Sequence, residues 1–428
     1  MLIEFSVGNY RSFKDTVTLS MVAANLVSQD KSVDENNVFA VDGKLSLLKS
    51  TAIYGANASG KSNLAKALSF MVWFMVNSSR ETQSTDEIGV EPFLLNTETE
   101  SKPSFFELVF LINGQKYRYG FEATPERIVA EWLYTVPKSR ETNLFDRDLT
   151  RIKSSKVFQA SGIEPRTRPN ALFLSVCAQF NVAIAEKIIT WIINTVKIAS
   201  GFDRSHPITD TTQCILEGRN SHKIIQFIKG LDIGISELHV EQIEFDINGL
   251  PQDLPNELKH VILARSGGKG TRIGTLHKRF DVANKENLYY QEFDMYENES
   301  EGTQKLFALA GPLIDVLEKG SIFIVDELDA RLHPLITRSI IELFHKPESN
   351  PDNAQLIFMT HDTNLLSNKI FRRDQIWFTE KDRYGATALY SLAEYPVRND
   401  ASFESDYIKG KYGAIPYIGN LELIESHG

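Results

Sequence analysis

The sequence predicts an α/β fold with a mainly parallel sheet core, an antiparallel β lobe and a mixed helical and β insertion. An apolar strand at 51–54 runs into a glycine-rich loop and then into a helical pattern. Two more apolar stretches, 321–329 and 355–362, are separated by a helical pattern, as buried parallel strands are. Elsewhere two alternating runs meet at Asn113-Gly114, which favours a two-residue hairpin turn.

The N-terminal half begins with alternating apolar residues at 2–7, which indicate an edge strand, and 16–22 is expected to pair with it. From Ser62 the apolar positions recur at helical spacing. After the hairpin, residues 128–136 predict a third antiparallel strand.

The middle of the chain, 151–298, has weaker patterns, and its sequence contains no heptads long enough for a coiled-coil arm. Its predicted elements are helices at 182–198 and 222–228 and strands at 238–247 and 259–264. A helix is then expected from Gly302 to Lys319, bent at Pro312. The remaining predicted elements are a helix at 334–344 and strands at 375–380 and 387–392.

Composition is typical of a large globular protein. The 428 residues are 42% hydrophobic and 24% charged, which is enough for a large core. A net charge of −10 argues against a protein whose whole surface binds nucleic acid. The same net charge is compatible with a local basic groove. The N-terminus lacks the features of a signal peptide, and the apolar run at 67–76 is shorter than the ~20 residues that span a bilayer. We expect a soluble cytoplasmic protein that does not enter membranes.

The stretch GANASGKS, from Gly55 to Ser62, matches the pattern G-x-x-x-x-G-K-[ST]. In such a loop the backbone N–H groups converge on the β-phosphate, and the following helix adds its positive N-terminus. Lys61 would reach the β and γ oxygens, and the Ser62 hydroxyl would join the magnesium shell. We predict ATP and Mg²⁺ as cofactors, bound through Gly55, Asn57, Ser59, Gly60, Lys61, Ser62 and Asn63.

Two acids, Asp326 and Glu327, follow the apolar strand 322–325. A carboxylate at this place can hold magnesium through water, and its neighbour can polarise the attacking water, so we assign Asp326 to Mg²⁺ and Glu327 to the water. His361 ends the next apolar strand and is assigned to the γ-phosphate. Acids and a histidine at strand ends are often structural. The glycine-rich loop is what favours the catalytic interpretation.

A second polar stretch, ESEGTQKLF at 299–307, precedes a predicted helix. Ser300 and Gly302 would lie at the helix N-terminus, where backbone amides and the helix dipole attract anions. Two anion sites in one chain predict a phosphate that is held from both sides.

Together these motifs resemble the ABC-type ATPases, in which an [LS]SGGQ-like signature contacts the γ-phosphate bound by the other subunit. The matching residues are Ser300, Gly302, Gln304 and Lys305, and Glu301 stands where transporters have glycine. The resemblance implies an ABC-type ATPase fold and a homodimer, or a higher oligomer, that sandwiches ATP between its subunits.

The chain looks still more like the stand-alone ABC-type AAA ATPases of prokaryotic defence islands, the RloA, AbiLi and AriA kind, related to the ATPase part of OLD-family proteins. Five stretches carry the likeness: NYRSFKD (9–15), GANASGKSN (55–63), VDELDARLHP (325–334), QLIFMTHDTNLL (355–366) and KYGAIPY (411–417). By this likeness Asp329, Ala330 and Arg331 would form a D-loop that crosses the dimer interface, and Arg11 would lie near the nucleotide. No Q-loop glutamine is identified, since Gln83 falls in a polar stretch.

The resemblance also implies a domain order and a function. The expected segments are an N-terminal ATPase lobe (1–95), an antiparallel β lobe (96–150), a mixed insertion (151–298), a C-terminal ATPase lobe with signature, Walker B and His switch (299–396) and a tail (397–428). The implied function is a slow ATPase that acts as sensor and regulator in anti-phage abortive infection. It would control a separate effector, a Toprim-like or RloB-like nuclease, and would be triggered by a phage protein or DNA.

Other functions share the same nucleotide motifs. A RecF-like or Rad50-like DNA clamp is the main alternative. The lack of heptads counts against the Rad50 type, and the acidic net charge counts against both types. A transporter ATPase is disfavoured by the antiparallel lobe and by Glu301, and a scaffold with little turnover is disfavoured by Glu327. The basic stretch 265–280 fits either DNA phosphate contacts or, as the simpler interpretation, a solvated hairpin loop.

Overall fold

The computed structural model describes residues 1–137, 140–200, 205–231, 233–249, 254–282, 288–398 and 400–416. The described residues form two compact units. The first is built from parts of 1–200, 316–330 and 337–428, and the second from parts of 201–315 and 331–336. The division into five segments remains a prediction.

The secondary structure is numbered here in chain order. The strands are β1 (Leu2–Gly8), β2 (Val17–Ser20), β3 (Val38–Ala40), β4 (Ser46–Leu48), β5 (Ser50–Tyr54), β6 (Ser104–Ile112), β7 (Gln115–Ala123), β8 (Ile128–Val136), β9 (Thr142–Asp148), β10 (Arg151–Ser154), β11 (Val196–Ser200), β12 (Ile235–Glu244), β13 (Lys269–Phe280), β14 (Leu288–Asp294), β15 (Ile322–Asp326), β16 (Gln355–Met359), β17 (Ile376–Lys381) and β18 (Thr387–Ser391). The helices are α1 (Lys31–Asn37), α2 (Lys61–Asn77), α3 (Phe173–Gln179), α4 (Ala183–Thr195), α5 (Ser205–Leu216), α6 (Ser221–Gly230), α7 (Asn256–Ser266), α8 (Glu301–Lys319), α9 (Pro334–His345) and α10 (Phe403–Ile408).

A six-stranded sheet forms the centre of the first unit, in the order β11-β15-β16-β5-β17-β18. All its pairings are parallel except that of β17 with β18. The central strands β5 and β16 are buried along their whole length, because both faces of the sheet are covered. The predicted fold class is confirmed. Because parallel strands end at the same edge, this topology brings the loop after β5 beside the ends of β15 and β16.

A seven-stranded sheet, in the order β10-β9-β8-β7-β6-β1-β2, forms the antiparallel part. The predicted hairpin β6–β7 turns at Asn113 and Gly114, which have φ of 51° and 76° as such a turn requires. The prediction that β1 is an edge strand was wrong: β1 lies between β6 and β2. Strand β1 is covered by apolar residues on both faces, because Ile3 packs into one apolar cluster while Phe5 and Val7 pack into another.

The second unit differs most from the expectation. The predicted strand 259–264 lies within helix α7, because a short continuous apolar run fits a helix as well as a strand. The basic stretch expected as a loop forms β13 from Lys269 onwards, the middle strand of the sheet β12-β13-β14. The predicted helix 182–198, in the first unit, ends at Thr195, where β11 follows.

Helix α8 continues through Pro312, which has no N–H to donate to the carbonyl of Ala308. The Thr211 hydroxyl on α5 donates to that carbonyl at 3.0 Å and accepts from the Gly311 N–H at 2.9 Å. The side chain thus replaces the missing backbone hydrogen bond.

Over the described ranges, no single helix is long and apolar enough to cross a membrane. One pair of helices, α3 and α4, meets the criteria of length and composition only when both are taken together across a bend of 102°.

Candidate functional site

The glycine-rich loop connects β5, which ends at Tyr54, to α2, which begins at Lys61. Gly60 has φ of +113°, and a Cβ there would overlap the Thr387 hydroxyl and lie 3.0 Å from Ser12 Oγ. A Cβ on Gly55 would lie 2.6 Å from Ser59 Oγ. Both positions therefore require glycine, because the backbone of the loop is packed against its neighbours.

Residues from other strands hold the loop in shape. Ser59 Oγ lies 2.6 Å from the hydroxyl of Thr379 on β17, and the hydroxyl of Thr387 on β18 donates to the Ser59 carbonyl at 2.8 Å. On the helix side, the Asn63 amide donates to Ser12 Oγ at 2.8 Å. Thr379 and Thr387 were not predicted from the sequence, because no motif marks them. They are recognised only once β17 is seen to pair with β5.

Lys61 is 5% exposed and folds back over the loop. Its ammonium donates to the carbonyls of Gly55 at 2.7 Å and Ala56 at 3.0 Å. Burial lowers the pKa of Lys61 to about 8, and the negative charges of nearby carboxylates, foremost Asp326, oppose that shift. The lysine is thus fixed over the loop by two of the loop's own carbonyls.

A cavity of about 460 Å³ opens above the loop. Its lining residues are Asn57, Ala58, Ser59, Gly60, Lys61, Ser62, Asn63, Glu327, His361 and Lys381. The structure thus brings the predicted loop residues 57–63 together with Glu327 and His361, which are far apart in sequence. Lys381, at the end of β17, adds a positive charge that the sequence analysis did not predict.

Asp326 ends β15, and its Oδ1 is buried without a hydrogen-bond partner among the described residues. Such an oxygen is costly unless it binds something, and a cation near phosphate oxygens would satisfy it. Where the structure describes the chain, no three His, Cys, Asp or Glu side chains are grouped to hold a metal alone. The residues present therefore fit Mg²⁺ that is held by Asp326 and Ser62 together with nucleotide phosphates.

Glu327 is the first residue after β15 and has φ of +56°, in the left-handed region. A non-glycine residue there is strained, and such residues concentrate at functional sites. Glu327 lines the cavity together with Lys61 and His361.

His361 follows β16 by two residues and is solvent-exposed. Partial burial of the ring, followed by the charge of Lys61, lowers the pKa of His361, whereas Asp329 and Asp326 oppose the shift. A neutral imidazole near neutral pH can donate one hydrogen bond to a phosphate oxygen. The Asp329 carboxylate accepts a hydrogen bond from the His361 backbone N–H at 3.3 Å.

A second cavity of about 660 Å³ adjoins the first, and both are lined by Asn57, Ala58, Ser59, His361 and Lys381. It is also lined by Tyr407 on α10 and by Ala414, Ile415 and Pro416 of the C-terminal stretch that resembles the defence ATPases. The Tyr407 hydroxyl donates to the Ala414 carbonyl at 2.9 Å, which holds this stretch in place. Tyr417 lies outside the described residues.

The predicted signature residues lie in the second unit, at the start of α8. The exposed Ser300 accepts a hydrogen bond from the Thr303 N–H at 3.2 Å and thereby caps the helix. A Cβ on Gly302 would lie only 2.7 Å from the Arg331 carbonyl oxygen. Gln304 is buried and donates to the Glu299 carbonyl at 3.1 Å, so its amide fixes the turn before the helix.

Arg11, which the resemblance places near the nucleotide, forms an ion pair with Glu91 at 2.6 Å and does not line either cavity.

The basic stretch contributes Arg272 on β13, which lies 3.6 Å from Glu241 and 3.4 Å from Glu292 on the two neighbouring strands. These carboxylates offset its charge, which weakens the case for DNA phosphate contacts there.

Comparison with known proteins gives one family match and several weak structural likenesses. The family model described as "AAA domain, putative AbiEii toxin, Type IV TA system" matches residues 50–173 and 220–367. A search of curated proteins finds no match.

Three solved structures illustrate the likenesses. The SMC head domain from Thermotoga maritima has a TM-score of 0.40 and 15% identity, over 91% of this chain and 98% of that chain. The recombination mediator protein RecF of the RecFOR pathway has a TM-score of 0.35 and 13% identity, over 91% and 98%. CbiO1 from Clostridium perfringens, part of the ABC transporter complex cbiONQ, has a TM-score of 0.30 and 10% identity, over 96% and 92%. None of these scores reaches 0.5, so the family assignment rests on the sequence match.

Proposed function

The chain belongs to the family described as AAA domain, putative AbiEii toxin, Type IV TA system, and we propose that it is an ATPase that binds ATP with Mg²⁺ and hydrolyses it slowly. The observation that carries the proposal is the single cavity in which loop residues 57–63 meet Glu327 and His361. A phosphate-binding loop alone would fit many nucleotide-binding proteins. The strained glutamate beside it supplies the group that hydrolysis requires.

The reaction follows from the placement of these groups. Backbone N–H groups of the loop and the Lys61 ammonium hold the β- and γ-phosphates, and Ser62 with Asp326 would hold Mg²⁺, which offsets charge on the phosphate oxygens. The Glu327 carboxylate accepts a proton from a water molecule as the water oxygen bonds to the γ-phosphorus. The bond from that phosphorus to the bridging oxygen breaks, and ADP leaves with the electron pair. His361 donates a hydrogen bond to a γ-phosphate oxygen and thereby orients it.

Two variants test this chemistry separately. Lys61→Ala removes the charge on which phosphate binding depends, and we expect ATP binding to be lost in a calorimetric titration. Glu327→Gln keeps the shape of the side chain but removes the base, so ATP should bind normally and turnover should stop. Normal ATP affinity in Lys61→Ala would overturn the loop assignment, whereas normal turnover in Glu327→Gln would overturn only the choice of base.

We further propose that the active form is a homodimer in which Ser300 and Gly302 of one subunit contact the γ-phosphate held by the other. The start of α8 offers an exposed hydroxyl and the positive end of a 19-residue helix. Lys61→Ala and Ser300→Arg should each inactivate a homodimer, because each damages both sites. Mixed, they form heterodimers in which one site carries both lesions and the other none. Partial recovery of ATPase activity is expected, and no recovery in verified heterodimers would contradict the shared site.

In the cell we propose a role in anti-phage defence, as the cytoplasmic sensor and regulator of a separate effector nuclease. The support is the family description, which refers to a putative toxin of a toxin–antitoxin system, together with the resemblance of five stretches to defence-island ATPases. Phage challenge of cells that carry the native operon tests it, with Glu327→Gln as the matched inactive variant. We expect protection only with the intact chain and its effector. Growth arrest by this chain alone would identify it as the toxin.

A further inference from the structure

Asp329 lies three residues beyond the end of β15, in the segment that resembles a D-loop. In this chain its Oδ2 accepts a hydrogen bond from the His361 N–H at 3.3 Å. One residue earlier, the Leu328 N–H donates to the Met359 carbonyl at 3.1 Å. Two consecutive residues therefore tie the end of β15 to the segment that carries His361.

The surroundings of Asp329 are polar and buried. Its other oxygen, Oδ1, is buried and has no hydrogen-bond partner within the described part of the chain, and the same holds for the hydroxyl of Tyr54. Tyr54 is 1% exposed, and its pKa is raised by burial and then by the charges of Asp362 and Asp329. Buried polar atoms without partners are costly to the fold.

His361 is also fixed on its other side. The Thr360 N–H donates to the Ile53 carbonyl at 3.1 Å, and the Asp362 N–H donates to the Thr360 hydroxyl at 3.0 Å. The Asp329 side chain thus fixes the backbone at His361 itself, a residue that lines the cavity.

We propose that Asp329 is a positioning residue that holds His361 towards the γ-phosphate bound by its own subunit. This inference rests on the proposed ATPase function. The D-loop resemblance implies a different role, in which Asp329 crosses the dimer interface. An Asp329 side chain that reached into the partner would have to release the His361 N–H of its own subunit.

The kinetic test compares two substitutions. Asp329→Ala removes the acceptor, whereas Asp329→Asn removes the charge and keeps an acceptor oxygen. Because a displaced catalytic group can cost up to about a hundredfold, we expect Asp329→Ala to lower kcat by roughly tenfold to hundredfold, with little change in KM. Asp329→Asn should restore most of kcat. An unchanged kcat in Asp329→Ala would overturn the proposal, and so would failure of the asparagine to restore activity in a folded variant.

Subunit mixing separates the same-subunit role from the dimer-crossing role. If Asp329 serves its own subunit, a mixture of Lys61→Ala and Asp329→Ala has a lesion at every site and is no more active than Asp329→Ala alone. If Asp329 serves the partner, the heterodimer has one intact site and recovers activity. The mixture of Lys61→Ala with Ser300→Arg is the matched control, for which recovery is expected. Recovery with Asp329→Ala would overturn the proposal.

A measurement on the nucleotide-free chain does not depend on dimers. Amide hydrogen exchange followed by mass spectrometry reports the peptide that contains the His361 N–H. We expect faster exchange there in Asp329→Ala and near-normal protection in Asp329→Asn. If exchange in that peptide is unchanged by the alanine, the hydrogen bond is not made and the proposal fails. If the mixing control fails while exchange responds, the shared dimer site fails and the role of Asp329 stands.

Discussion

Raising the pH from about 7 to about 9 should weaken ATP binding about tenfold, because the nucleotide-free chain loses the Lys61 charge in that interval. Burial lowers the pKa of Lys61 to about 8 from an ordinary value of 10.5. The fraction of charged lysine therefore falls from about nine tenths at pH 7 to about one tenth at pH 9. An ordinary lysine would stay almost fully charged over this range.

ATP affinity should fall with rising pH because a polyanion binds the charged form of Lys61. Above the lowered pKa, ATP binding requires that Lys61 take up a proton, so the affinity falls as the pH rises through about 8. Glu327→Gln removes a carboxylate that supports the charge, so its affinity should begin to fall at a lower pH.

The assay is calorimetric titration with ATP at several pH values. Above about pH 7 the terminal phosphate is ionised, so its own titration does not interfere. Lys61→Arg is the control, because an arginine keeps its charge throughout and its affinity, whatever its size, should not depend on pH in this range. Equal wild-type affinity at pH 7 and pH 9 would refute the lowered pKa of Lys61 in the nucleotide-free chain.

Three further outcomes are expected. Gly302→Ala places a Cβ 2.7 Å from the Arg331 carbonyl oxygen, so the free energy of unfolding, measured by thermal unfolding, should fall by about 1–3 kcal/mol. ATPase activity should also fall, while ATP affinity should be unchanged. Thr387→Val removes the hydroxyl that donates to the Ser59 carbonyl at 2.8 Å. Because a buried acceptor without a hydrogen bond costs about 1–3 kcal/mol of folding free energy, both the melting temperature and the ATP affinity should fall. Arg272→Glu should leave any DNA affinity and its salt dependence unchanged in fluorescence anisotropy, because its charge is already offset; a clear loss would revive the DNA-clamp alternative.

Local motifs with a fixed chemistry were predictable from the sequence. The loop from Gly55 to Ser62 can be recognised because its residues are contiguous and match a pattern whose glycines, lysine and serine have expected roles in phosphate binding. Glu327 and His361 could be added because each follows a buried apolar strand, and parallel strands end at one edge. The structure brings both side chains to the cavity above the loop.

Contacts that depend on the sheet order were not predictable. Thr379, Thr387 and Lys381 come from β17 and β18, and only the pairing of β17 with β5 brings them to the loop. The strained backbone of Glu327 has no sequence signature either. The basic strand β13 was interpreted as a loop, because clustered charges and glycines have the composition of a turn; here Arg272 is instead paired with acids on both neighbouring strands.

Sedimentation velocity of Glu327→Gln with and without MgATP shows whether ATP is held between two subunits once hydrolysis by the Glu327 base is removed. With turnover stopped, ATP should stay bound, and the 48.4 kDa chain should sediment as a dimer of about twice that mass. Without nucleotide, and for wild type after its ATP is consumed, the monomer should prevail. A variant that binds ATP in titration yet remains monomeric would contradict a nucleotide site shared by two subunits.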